Sequence, residues 1–301
     1  MEQLFTVWGE TLDKEHVLDE YPRPLMVRDS YLNLNGYWDY AFTQEFVCPK
    51  EFDGKILVPF SPEAALSGVN RQLMPDEYLW YHRTFSVDGR KTKRADESFS
   101  EEDPESGMGA DLTEERLLLH FGAVDQACVG WVNGQRIGKH TGGYLPFEFE
   151  ITEAVQAGEN ELVVAVKDLS DTSYHSRGKQ KLERGGMFYT AQSGIWQTVW
   201  LERVPEKYIK EVETIPEPDE KKVRIIVRSD AEYAVKIVLQ KPKIHKELEK
   251  NVPDNPVEGM IGSEISGKTN EWLEIPVQDV QLWTCDTPYL YDFTVEMEKD
   301  R

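Results

Sequence analysis

Apolar and polar residues alternate in short stretches along the first two thirds of the chain, as in strands that bury one face. Trp38 and Tyr40 begin one such stretch, and Leu145 to Ile151 form another. The Asn133-Gly134 pair between two of these patterns predicts a tight type I′ hairpin. The predicted strands lie near 35–42, 56–58, 79–85, 117–121, 127–137, 145–151, 160–167 and 195–202. This spacing predicts a jelly-roll sandwich over residues 1–205.

A second series of alternating stretches follows Val204-Pro205-Glu206. It occupies residues 206–301, a length that suits an immunoglobulin-like β-sandwich domain. The whole chain is therefore predicted to be all-β, with a jelly roll followed by an immunoglobulin-like domain. Within the first of these, residues 89–115 carry four basic and nine acidic residues. We interpret 88–115 as a flexible acidic insertion between two hairpin strands.

The net charge of −21 changes the range of expected partners. An acidic protein has no basic face for nucleic acid, and anionic membrane surfaces repel it. A neutral ligand such as a sugar remains compatible with this charge.

Cysteine and histidine usage makes structural metal sites unexpected. Three cysteines without a C-x-x-C pair predict neither a disulfide framework nor a zinc site, and the six histidines have no ligand spacing. We expect no metal and no cofactor. Neither a signal peptide nor a run of about 18 apolar residues is visible, so a cytoplasmic location is the default expectation.

Residues 174–200 form a long segment that changes character along its length. Its first half is polar, basic and glycine-rich, whereas its second half is aromatic and continues into a predicted strand. Loops longer than about 15 residues are usually functional or disordered, and Phe188, Tyr189 and Trp196 argue against disorder. Two interpretations stay open: a surface excursion packed by its own side chains, or a loop that reaches a ligand or another domain.

Several motifs resemble the N-terminal region of glycoside hydrolase family 2, which includes β-galactosidases, β-glucuronidases and β-mannosidases. The resemblance covers nearly the whole chain, and the motifs occur in family order. They are Leu34-Asn35-Gly36-Tyr37-Trp38, Val58-Pro59, Trp80-Tyr81-x-Arg83, Phe121 to Gly134, Gly142 to Glu148, Ser193-Gly194-Ile195-Trp196 and Leu282-Trp283 with Pro288 to Tyr291.

The resemblance implies a fragment of a larger β-glycosidase that hydrolyses O-glycosyl bonds in carbohydrate metabolism. Family members continue into a (β/α)8 barrel that carries a catalytic pair of glutamates. A retaining glycosidase needs these carboxyl groups about 5–5.5 Å apart. We expect the chain alone to be inactive, to support this barrel, and to complete its pocket for a β-glycoside. The alternative is a stand-alone carbohydrate-binding or adaptor protein of two β-sandwiches. A homo-oligomer is left open.

In the family, the segment that matches 174–195 reaches the active site. Phe188 occupies the position where β-galactosidases and β-glucuronidases carry a substrate-contacting aspartate, which predicts a different specificity. The remaining candidates for sugar contact are Tyr189 and Arg184, with packing against the barrel as the alternative. A basic, polar cluster on the same loop is predicted to recognise a polar or acidic group, and its members are His175, Arg177, Lys179 and Gln180. Strand alternation predicts core positions rather than sugar-stacking platforms for Trp80, Tyr81, Trp131, Tyr144 and Phe147.

Overall fold

The structure is a computed structural model that describes residues 5–23, 25–87, 115–243 and 261–297. The chain divides into two compact units. The first contains the N-terminal residues to Pro22 together with Arg28–Glu206, and the second contains Arg23–Val27 with the residues from Lys207 onward. The predicted acidic insertion at 88–115 lies, apart from Glu115, outside the described residues.

The first unit is built almost entirely from strands. Its helical elements are short: α1 (Val7–Glu10) and 3-10 turns at Ala65–Ser67 and Ser170–Thr172. The strands of its described residues are β1 (Leu32–Asn33), β2 (Gly36–Thr43), β3 (Gly54–Val58), β4 (Tyr78–Val87), β5 (Glu115–Phe121), β6 (Val124–Asp125), β7 (Ala127–Val132), β8 (Gln135–Thr141), β9 (Phe147–Glu150), β10 (Gly158–Lys167), β11 (Gln180–Lys181), β12 (Tyr189–Thr190), β13 (Gly194–Ile195) and β14 (Val199–Pro205).

Two sheets of this unit bury a common hydrophobic core. One has the strand order β1-β14-β5-β9, and the other has the order β3-β2-β4-β10-β7-β8. The core contains Trp38, Tyr81 and Phe121, all fully buried, with the Trp38 and Tyr81 rings edge to face at 6.3 Å. Alternation along the strands places these large side chains on the inner faces, which confirms the predicted all-β sandwich.

The predicted hairpin at Asn133-Gly134 is confirmed. Both residues have positive φ, +51° and +75°, as a type I′ turn requires, and the turn joins β7 to β8. The pattern over 145–151 gives a shorter strand than predicted, because Leu145 is 71% exposed and strand geometry begins at Phe147. The predicted strand at 195–202 is interrupted after Ile195 and resumes at Val199.

Aromatic positions of the first unit divide between core and surface. Trp80 and Tyr81 are buried, which confirms that part of the prediction. Trp131 and Phe147 are half-buried, and Trp131 stacks on Trp80 at 5.8 Å. The prediction for Tyr144 is wrong: it is 43% exposed, because it lies in a bend before β9, and its ring makes a T-shaped contact with Trp196 at 6.1 Å.

The second unit is a smaller sandwich of two three-stranded sheets. Its described strands are β15 (Glu211–Glu217), β16 (Lys222–Arg228), β17 (Ala234–Gln240), β18 (Ile261–Lys268), β19 (Trp272–Pro276) and β20 (Phe293–Met297), with a 3-10 turn at Pro218–Glu220. The sheet orders are β15-β16-β19 and β18-β17-β20. Ile225, Ile237 and Ile275 are fully buried in its core. This is the immunoglobulin-like architecture that the sequence predicts. The three cysteines of the chain are free thiols. Within the described ranges, no helix has the length and apolar character needed to cross a membrane.

Candidate functional site

The candidate site is carried by residues 174–192, which we call the arm. The arm leaves the sandwich just after β10, where the buried Asp168 accepts a 2.7 Å hydrogen bond from the Ser170 backbone N–H. This bond ends the strand and starts the 3-10 turn at Ser170–Thr172. The arm therefore begins at a defined point on the six-stranded sheet.

The arm folds back on itself through backbone hydrogen bonds. Strands β11 and β12 are parallel, and the Tyr189 N–H donates to the Lys179 carbonyl at 2.8 Å. The Gln192 N–H donates to the side-chain carbonyl of Gln180 at 2.7 Å, and the Ala191 N–H donates to the Lys181 carbonyl at 3.3 Å. These bonds hold the residues on either side of the glycine-rich tip next to one another.

The C-terminal end of the arm is fixed to the sandwich by the Ser193-Gly194-Ile195 motif. Ser193 donates its N–H and its hydroxyl to the two carboxylate oxygens of Glu63, at 3.1 and 2.7 Å. The Ile195 N–H donates to the hydroxyl of the buried Tyr81 at 3.1 Å. Gly194 has φ of +76°, and a Cβ there would lie 2.1 Å from the Tyr81 hydroxyl oxygen. The motif therefore needs glycine for two reasons, backbone conformation and space.

A shallow, open cleft of about 450 Å³ lies along the arm. Its lining residues come from both sides of the fold-back, and they are Lys179, Gln180, Tyr189, Thr190 and Gln192. The structure thus brings together three of the predicted residues, Lys179, Gln180 and Tyr189. Sequence reasoning missed Thr190 and Gln192, because the parallel pairing of two-residue strands leaves no periodic pattern.

The other predicted site residues lie away from the cleft lining. Arg184 is exposed and donates to the Thr190 hydroxyl at 3.0 Å, so it lies beside the cleft. His175 stacks on the Tyr174 ring at 4.5 Å. Arg177 donates to the Ser173 carbonyl at 3.1 Å. His175 and Arg177 therefore belong to the first turn of the arm and not to its cleft.

Phe188 is half-buried within the arm. The ammonium group of Lys181 lies 4.2 Å from the centre of its ring, a cation–π contact. A phenyl ring here supplies packing for the arm, whereas a carboxylate at the same position would supply a hydrogen-bond acceptor.

Three carboxyl groups lie under the base of the arm. Burial raises the pKa of Asp125 to about 7, with added repulsion from Asp168 and Glu63. Burial also raises the pKa of Asp168 and of Glu63, although hydrogen bonds from Ser170 and Ser193 act in the opposite direction. No group of three or more candidate ligands among the described residues has the geometry to hold a metal ion. The sequence did not predict this cluster, because its three carboxyl groups lie far apart along the chain and no local motif joins them.

Two family models match the chain. The model for "Glycosyl hydrolases family 2, sugar binding domain" matches residues 107–205, and the model for "Glycosyl hydrolases family 2" matches residues 207–301. Together these ranges cover more than half of the chain. A β-sandwich that matches a sugar-binding-domain model, followed by an immunoglobulin-like second unit, defines the class, and the chain belongs to glycosyl hydrolase family 2.

Curated relatives are considerably longer than this chain. A β-galactosidase of Thermoanaerobacter pseudethanolicus is 26% identical over 72% of this chain and 26% of its own length. A β-galactosidase of Halalkalibacterium halodurans is 25% identical over 91% of this chain and 26% of its own length. A putative β-glucuronidase of Formosa agariphila is 31% identical over 36% of this chain and 12% of its own length. The chain thus spans about a quarter or less of these relatives.

Solved structures share the fold. The β-glucuronidase from Ruminococcus gnavus in complex with uronic deoxynojirimycin has a TM-score of 0.62 at 19% identity, over 91% of this chain and 44% of that one. A β-glucuronidase from an uncultured Clostridium species has a TM-score of 0.60 at 23% identity, over 91% of this chain and 44% of that one.

Proposed function

We propose that the chain is the non-catalytic part of an enzyme that hydrolyses β-glycosidic O-glycosyl bonds. The observation that carries this proposal is a sugar-binding-type sandwich whose C-terminal motif, Ser193 to Ile195, holds a folded arm at its edge. In this proposal the arm completes the sugar pocket of a (β/α)8 barrel. The barrel supplies an acid/base glutamate and a nucleophilic glutamate, and the reaction retains anomeric configuration.

The arm residues have distinct roles in this proposal. The exposed ring of Tyr189 packs against a sugar face, and the Gln180 amide binds a sugar hydroxyl. Arg184 reaches the same region from beside Thr190. His175 and Arg177, in the first turn of the arm, contact polar groups on the barrel side of the pocket.

Two further properties belong to the same proposal. The free thiols of Cys48, Cys128 and Cys285 support a cytoplasmic location, because reducing compartments keep cysteines unpaired. No cofactor takes part in this scheme, and it leaves the oligomeric state of the parent enzyme open.

Activity assays on two proteins test the function. The 301-residue chain and the protein translated from the complete reading frame are incubated with nitrophenyl β-glycosides. We expect turnover only for the longer protein, since a carboxylate pair at the required separation comes from the barrel. A stop codon directly after Arg301 would favour the alternative, a stand-alone carbohydrate-binding module. Hydrolysis by the 301-residue chain alone would contradict the assignment of its domains as non-catalytic.

Substitution in the arm tests the pocket. We expect Tyr189→Ala in the longer protein to raise KM by about two- to tenfold, since a stacked aromatic ring contributes about 0.5–1.5 kcal/mol beyond its area. Tyr37→Ala, at another exposed tyrosine of the first unit, serves as the control. Equal kinetics for both variants would remove Tyr189 from the pocket.

A further inference from the structure

The arm has the opposite charge to the rest of the chain. The protein has 55 acidic and 34 basic residues, yet residues 174–192 contain four cations and the single acid Glu183. The cations are Arg177, Lys179, Lys181 and Arg184. A local excess of positive charge in so acidic a protein indicates a place where negative charge binds.

The arm also differs from the sandwich in how its cations are neutralised. In the sandwich, Lys55 pairs with Asp39 at 2.6 Å and Arg28 pairs with Glu202 at 3.0 Å. Within the described part of the chain, neither Lys179 nor Lys181 forms an ion pair, and the Lys181 ammonium group lies 4.2 Å from the centre of the Phe188 ring. These ammonium groups are available to an external anion.

The cleft presents hydrogen-bond donors. The Gln180 carbonyl oxygen accepts from the Gln192 N–H, which leaves the Gln180 NH2 group to donate. The side-chain carbonyl of Gln192 likewise accepts from the Ser61 hydroxyl, which leaves its NH2 group. The Thr190 hydroxyl accepts from Arg184 and retains its own hydrogen. The Lys179 ammonium group adds a charged donor to these two amides and the hydroxyl. The residues that line the cleft include no aspartate or glutamate.

We propose that this cleft binds an oxyanion substituent, a carboxylate or a sulfate, on the glycan that the enzyme acts on. The inference rests on the proposed function and specifies the chemistry of its substrate. Lys179 supplies the charge, the two amides and the Thr190 hydroxyl donate hydrogen bonds, and the Tyr189 ring packs on the sugar that carries the anion. The hydroxyl oxygens of a neutral glycan can accept from these donors, but a neutral glycan has no negative charge to pair with the Lys179 ammonium group.

Titration of the 301-residue chain with three matched oligosaccharides tests the proposal. The first ends in a uronic acid, the second is the same sugar with a 6-sulfate, and the third is the neutral parent. We expect an acidic ligand to bind about fivefold more tightly than the neutral one, the effect of about 1 kcal/mol for an exposed charge pair. The preference should shrink as salt rises from about 0.05 to 0.5 M. Comparison of the first two ligands identifies which oxyanion the cleft accepts.

Two variants and a control locate the effect. Lys179→Glu reverses the charge, and Gln180→Glu keeps the acceptor for the Gln192 N–H but replaces the free donor by a carboxylate oxygen. We expect both to abolish the preference for acidic glycans. Lys139→Glu, at an exposed lysine on β8, should leave it intact.

Three results would overturn the inference. The first is equal affinity for neutral and acidic glycans, and the second is no binding of either acidic glycan. The third is that Lys179→Glu and Lys139→Glu reduce the preference for acidic glycans equally. The hydrolysis assay on the longer protein is a separate readout. Turnover of neutral glycosides without any acidic preference would reject this inference alone. A retained acidic preference in a longer protein without glycosidase activity would reject the proposed function alone.

Discussion

At the scale of single residues, Gly194 joins the arm to the sandwich where a side chain has no room. Its φ of +76° costs an alanine about 1–2 kcal/mol, and the new Cβ would displace the Tyr81 hydroxyl. We therefore expect Gly194→Ala to lower the free energy of unfolding by about 3 kcal/mol, as measured by urea denaturation.

A matched glycine separates the two causes. Gly178 has φ of +61°, but no atom lies within 4 Å of the position that a Cβ would take, so Gly178→Ala should cost only about 1 kcal/mol. If both substitutions cost the same, the close approach to Tyr81 has no energetic weight.

Asp125 makes the stability of the first unit depend on pH. Its folded pKa is raised to about 7, above the value near 3.9 of an unfolded chain. Between these two values the folded state binds more protons, so the stability that this group contributes is present at low pH and is lost as pH rises toward and through 7. The loss is at most about 4 kcal/mol.

We expect Asp125→Asn to remove most of this loss between about pH 5 and 8. In urea denaturation, the free energy of unfolding of this variant should then exceed that of the parent protein at about pH 8. Asp76→Asn, at an exposed site, is the control and should have the same free energy of unfolding as the parent at about pH 5 and at about pH 8. A pH dependence in Asp125→Asn as steep as in the parent would show that this carboxyl group does not carry the effect.

At the scale of elements, the arm depends on Glu63 for its attachment. Each oxygen of this carboxylate accepts one backbone N–H, Oε1 from Leu73 at 3.0 Å and Oε2 from Ser193 at 3.1 Å. In Glu63→Gln the NH2 group replaces one acceptor, and one of these amides loses its partner. We expect amide hydrogen exchange at Leu73 or Ser193 to accelerate about tenfold. Exposed Glu159→Gln is the control, and unchanged exchange at both amides would exclude Glu63 as the anchor.

Local patterns account for the strands that the sequence predicts well. Alternation locates β4 and β10, and Asn133-Gly134 locates a turn, because each depends on neighbouring residues. The pairing of β11 with β12 joins residues nine positions apart in strands of two residues, so no period could reveal it. Likewise, Gln180 and Tyr189 could be proposed singly as sugar contacts, but their shared cleft depends on that pairing.

At the scale of the whole chain, each unit has its own hydrophobic core. Leu119 is fully buried in the first core and Ile237 in the second. Truncation of a buried aliphatic side chain to alanine costs about 2–5 kcal/mol through lost burial and the remaining cavity. Because the two residues lie in separate cores, each substitution should weaken one unit.

Differential scanning calorimetry of the 301-residue chain tests this independence. We expect two transitions, with Leu119→Ala lowering the midpoint of one and Ile237→Ala lowering the midpoint of the other, each by several degrees. A loss of about 1 kcal/mol corresponds to about 2–4 °C in a domain the size of the first unit and to about 4–8 °C in one the size of the second. A single transition that both substitutions lower equally would mean that the units unfold together. The cores would then belong to one cooperative structure, and a change in the second unit would also lower the stability of the sandwich that holds the arm.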